Sequence, residues 1–183
     1  LSSRCAEPCG AHLNNGEFDM AAANVLQPKP APEKMSTGIS DRGRESVATA
    51  LQDVLGSTYR LLVKTQIHHW NVVGPLFYPI HLLTDEQYND LFKAIDTIAE
   101  RIRALGFATA APVIGTEKKQ VVEMSAQDLI NDLVADHEAI CRQMRQAAGV
   151  ADDVDDIVTN DLLVQRLTFH EKAIWMLKAI VAA

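Results

Sequence analysis

From Ser40 onward the apolar residues of this chain recur at intervals of three and four in four long stretches, and no stretch carries the alternation of a strand. In the first, Val47, Leu51, Val54, Leu55, Thr58, Leu61, Leu62 and Thr65 share one helical face, and Gly74-Pro75 ends the helix shortly after about Val72. The second runs from about Tyr78 to Leu105 with Leu91, Ile95, Ile98, Ile102 and Leu105 on one face and Gly106 as its stop. Residues 106 to 124 carry little period. A third helix is expected from Ser125, where Ser-Ala-Gln-Asp forms a capping box, to about Ala148. The fourth, about Thr159 to Ala182, turns Leu163, Leu167, Ile174, Leu177 and Val181 inward. The expected fold is all-α. It is a four-helix bundle with one long crossover connection between helices 2 and 3, because up-down neighbours need only short loops.

Residues 1–39 hold four of the seven prolines and no sustained period, so they read as an extended, flexible N-terminal arm, with residues 40–183 as the single bundle domain. No run of eighteen apolar residues and no signal-like N-terminus is seen, so the expectation is a cytoplasmic protein with no membrane partner. The three cysteines do not make a disulfide framework. Cys5 and Cys9 in the arm lack a second pair to complete a zinc site, and Cys141 fits a small core position.

Five potential metal ligands fall within 32 residues: His69 at the end of the first helix, then His81, Asp85, Asp96 and Glu100 along the second. His81 and Asp85 are four apart, as are Asp96 and Glu100, so each pair projects side by side. Two imidazoles and three carboxylates suit iron, manganese or zinc. Asp85 and Asp96 lie 11 residues apart, or roughly 16 Å along one helix, too far for one ion and yet about three whole turns. An antiparallel copy across a two-fold axis would bring each pair opposite its counterpart, giving two equivalent sites per dimer. Spacing alone leaves open the reading of surface charges plus two ordinary histidines. The other histidines do not join the set by spacing: His68 points about 100° from His69, His137 and His170 lie in later helices, and His12 is in the arm.

The run His69-Trp70-Asn71-Val72-Val73-Gly74, with His81, Asp85 and then Asp96-Thr97-Ile98-Ala99-Glu100-Arg101, resembles the ferroxidase signature of the Dps family, the miniferritins that protect DNA in starved bacterial cells. The likeness extends from about residue 45 to the end. It implies a ferritin-like bundle, a dodecameric cage built from two-fold dimers, and iron oxidation by hydrogen peroxide or dioxygen at His69, His81, Asp85, Asp96 and Glu100, with ferric iron stored inside. All five residues match family ligand positions. It also implies that acidic residues near the three-fold axes guide iron inward. Asp152, Asp153, Asp155, Asp156 and Asp161 are the candidates for that pore, and a solvated capping segment is the equal alternative. Trp70 beside His69 is either a redox-active ring or a core aromatic, and core packing is the preferred reading.

Larger ferritins and di-iron oxygenases build their sites inside one bundle from Glu-x-x-His motifs, and this chain contains none. The competing function is a nucleoid-compacting DNA binder in which iron oxidation is secondary. Charge opposes it: the chain carries −7, and residues 1–40 hold only Arg4, Lys29 and Lys34 against Glu7, Glu17, Asp19 and Glu33.

Overall fold

The computed structural model describes residues 32–110 and 124–182. Most of the arm, with Cys5, Cys9 and His12, lies outside the described residues, as does the middle of the expected crossover. Four helices follow in order: α1 Asp41–Asn71, α2 Phe77–Ala104, α3 Ala126–Asp152 and α4 Ile157–Ile180. None is long and apolar enough to cross a membrane.

Local chemistry sets the ends. The Ser40 side chain accepts from Gly43 N at 3.1 Å to start α1, and Ser125 and Asp128 form the reciprocal capping box of α3. Gly106 stops α2 at φ 96°, and a Cβ there would come within 2.6 Å of the Glu33 carbonyl oxygen. That approach is used: Glu33 N donates to Gly106 O at 2.8 Å, and Arg103 pairs with the Glu33 carboxylate. The chain is therefore held against the end of α2 from before residue 39, through bonds that leave no periodic trace in sequence. Two helix ends also differ from expectation. α3 continues to Asp152 rather than about Ala148, because Gly149 is accommodated inside the helix, and α4 begins two residues early, with Asp156 as its cap.

Cross-helix contacts fix the topology. α1 is antiparallel to α2, since Arg44 reaches Leu105 O and His69 reaches His81. It is also antiparallel to α3, with Gly43 against Val154 and His68 bonded to Asp132. α2 is antiparallel to α4 through Arg101–Asp156 and Arg166–Asp90. α2 and α3 are thus parallel. The interior is filled by Leu51, Leu61, Leu91, Ile98, Ile102, Leu133, Met144 and Leu163, all fully buried. Thr58 and Thr65 share it because each hydroxyl donates to the carbonyl four residues back. Cys141 is buried, as its pattern suggested.

Three polar features are committed to the fold. His137 and His170 meet at the core with their Nδ1 atoms 2.8 Å apart. Burial, reinforced by the charge of Arg166, pushes His137 down to about 4, and burial with the neighbouring His137 and Arg166 also lowers His170, so both rings are neutral near pH 7. His68 is buried against Asp132 at 2.8 Å. Arg101 donates to both oxygens of Asp156, which is 2% exposed, and to Thr159 Oγ1 at 2.8 Å. Trp70 overturns the core-packing expectation, because its side chain is 67% exposed on the subunit surface.

Candidate metal centre

The short turn from Val72 to Leu76, with Gly74 at φ 89°, folds α2 back so that His81 stacks on His69, ring centroids 3.8 Å apart and planes 17° from parallel. The two rings hold each other's backbone. His69 Nδ1 donates to His81 O at 2.9 Å, with Thr84 Oγ1 as a second acceptor at 3.2 Å, and His81 Nδ1 donates to His69 O at 3.0 Å. A carbonyl oxygen only accepts, so each Nδ1 must carry its proton, and in the neutral ring the lone pair is then on Nε2. Both imidazoles are thereby held in a tautomer whose Nε2 is free to bind a metal.

Asp85 stands one turn beyond His81. Its Oδ1 accepts the Tyr88 hydroxyl, and its Oδ2 accepts from Asn89 Nδ2 at 3.3 Å. That bond to Asp85, together with burial and the carboxylate charge, holds the Tyr88 phenol above its usual pKa, so it stays protonated as a donor. The Tyr88 ring also meets His69 edge-on, centroids 5.2 Å apart. Sequence reasoning missed Tyr88, Asn89 and Thr84. The spacing of Asp85 to Tyr88 and to Asn89, three and four residues along a helix, was the available signal.

Asp96 and Glu100 sit further along α2, both exposed, and among the described residues neither carboxylate has a hydrogen-bond or ion-pair partner. Nor do three or more His, Cys, Asp or Glu side chains converge as a metal site among the described residues of one chain. His69 and His81 are brought together, Asp85 follows one turn along α2 from His81, and Asp96 and Glu100 form a separate pair. The same side of α2 exposes Tyr78, Leu82 and Phe92, and Trp70 and Val73 are exposed at the end of α1. The candidate ligands therefore sit beside an uncovered apolar surface.

The acidic segment divides. Asp152, Asp155, Asp156 and Asp161 line a depression of about 310 Å³ with Asn160, Ile157 and Val164, whereas Asp153 is exposed outside it. Asp155 takes a left-handed conformation, φ 57°, to turn the chain into α4. Asp156 presents both oxygens to Arg101 and Thr159 instead. Burial alone would raise its pKa, but the Arg101 and Thr159 hydrogen bonds and the Arg101 charge outweigh it and hold the carboxyl below the usual range.

A family model described as a ferritin-like domain matches residues 48–183. The DNA protection during starvation protein of Brevibacillus brevis is 32% identical over 143 residues, 75% of this chain and 96% of that protein. The chain belongs to the Dps family. An uncharacterised low-temperature-induced protein of Nostoc is 36% identical over 81% of this chain and 87% of its own length. The crystal structure of Dps from Thermosynechococcus elongatus superposes with a TM-score of 0.71 at 30% identity, covering 78% of this chain and 94% of that one. The four-helix arrangement seen here, with α2 and α3 parallel, is thus that of a ferritin-like Dps bundle.

Proposed function

We propose that this Dps-family protein is a miniferritin, which binds ferrous iron at sites shared across a two-fold dimer and oxidises it, with hydrogen peroxide as the favoured oxidant, storing ferric iron in a dodecameric cage. The reading rests above all on the paired Nδ1 bonds of His69 and His81, which leave two Nε2 lone pairs one helical turn from Asp85. In each site these three residues face Asp96 and Glu100 of the partner subunit. Imidazoles hold ferrous iron without adding negative charge, and the carboxylates favour the ferric product. Two ferrous ions give one electron each to one peroxide, which takes up two protons and leaves as two waters, so no hydroxyl radical is released. The exposed Trp70 and the apolar side chains around it would be covered by the partner. Asp152, Asp155 and Asp161 are proposed as iron guides toward the interior, while Asp156 secures the segment that carries them.

Anaerobic ferrous titration combined with sizing tests the proposal. Binding should saturate at one site per chain in a particle far larger than a dimer. A dimer or monomer that takes up no ferrous iron at micromolar protein would overturn it.

DNA compaction is not favoured by the charge. With −7 per chain, the assembly should not retard duplex DNA at about 150 mM salt, where the screening length is about 8 Å and affinity depends on clustered basic contacts. Retardation at that salt, lost when residues 1–39 are removed, would reinstate the DNA-binding function.

A further inference from the structure

We propose that Tyr88 is a positioning residue of the iron site, holding the Asp85 carboxylate in its ligating orientation through the hydrogen bond from its hydroxyl. The inference rests on the metal-centre reading above and adds a residue to it.

An aspartate on a helix has two rotatable side-chain bonds, and a carboxylate that must first be ordered binds a metal less tightly than one already set. Here each oxygen is held separately, Oδ1 by the Tyr88 hydroxyl and Oδ2 by Asn89 Nδ2. A carboxylate has about four lone-pair positions, so two such bonds leave one on each oxygen for a metal. Asn89 is exposed, and its amide also donates to the Asp85 backbone carbonyl at 2.9 Å, so its grip on the side chain is divided. Tyr88 has no such division. Its ring is partly buried, packs on the hydrophobic core and lies edge-on to His69. It therefore touches one nitrogen donor and one oxygen donor of the same half-site, and the core fixes it relative to both. Outer groups bonded to a ligating side chain commonly change metal affinity by about 10- to 100-fold.

The test uses the assembled full-length protein and cobalt(II) under anaerobic conditions, reading the visible d–d bands, with Tyr88→Phe, Asp85→Asn, Asp85→Ala and the double variant Asp85→Ala, Tyr88→Phe. Tyr88→Phe keeps the packed ring, so far-UV circular dichroism and particle size should match the parent. Its cobalt affinity should fall by about tenfold with altered band positions, and the ferrous concentration at half-maximal oxidation rate should rise more than the maximal rate falls. In an Asp85→Ala background, which offers the Tyr88 hydroxyl no acceptor, the further change Tyr88→Phe should have little effect, because the two act through one bond. If Asp85→Asn weakens cobalt binding but Tyr88→Phe does not, or if the effects of Asp85→Ala and Tyr88→Phe simply multiply, the role of Tyr88 is overturned and the metal centre stands. If Asp85→Asn itself leaves cobalt binding and its spectrum unchanged, the assignment of the metal centre fails, and the role of Tyr88 fails with it.

Discussion

Replacing Asp96 and Glu100 together by alanine should slow peroxide-driven iron oxidation by more than about tenfold while leaving the helical bundle folded. Both side chains are exposed and without partners among the described residues, so their loss should change subunit stability by no more than about 0.5 kcal/mol. The proposed reaction loses the two carboxylates that meet the histidine half of the site. Stopped-flow absorbance of ferric product, with circular dichroism as the control, decides the matter, and an unchanged initial rate would remove both residues from the site. Complementation then tests the sharing between chains. A mixed dimer of an Asp96→Ala, Glu100→Ala chain with a His81→Ala, Asp85→Ala chain should keep one intact site of two. A correctly paired but inactive mixed dimer would count against the shared geometry.

The second large effect concerns stability. Asp156→Ala should cost about 3 kcal/mol, because it leaves the Arg101 guanidinium in a mostly buried position with its carboxylate gone and also removes the α4 cap. Asp156→Asn, which can still cap, should cost less. Urea unfolding followed by circular dichroism gives both values. The pH dependence carries a sign. The folded pKa of Asp156 lies below its unfolded value, so its contribution is complete above about pH 4 and disappears as the pH falls through the depressed value. Parent and Asp156→Ala midpoints should therefore converge in acid. A variant as stable as the parent but slow to take up iron would instead make Asp156 a pore residue.

The helices were legible because burial writes a period. Val47 to Thr65 on α1 and Leu91 to Ile102 on α2 face inward as their spacing requires. Trp70 was legible too and was misjudged: five residues beyond Thr65 is roughly 140° around the helix, well off the buried stripe. The five candidate ligands were found by residue type and spacing, but the state of the histidines was not. Which ring nitrogen carries the proton depends on carbonyls twelve residues away, brought into reach only by the turn at Gly74. Asp156 likewise looked like one carboxylate in an acidic run, since nothing local shows that Arg101, 55 residues earlier, lies opposite.

The mutual histidine bonds do two jobs with the same atoms. They staple the end of α1 to the start of α2, and they leave the Nε2 lone pair of each neutral ring free of the backbone, so on the proposed reading folding would complete one side of the site before any partner arrives. What a lone subunit would lack is the opposing carboxylates. On the proposed geometry, chemistry would be switched on by pairing rather than by folding: a newly made chain would hold iron loosely and oxidise it slowly, and rapid turnover would begin only where a neighbouring wall of the container already exists. Such a protein would form rust only where there is somewhere to put it.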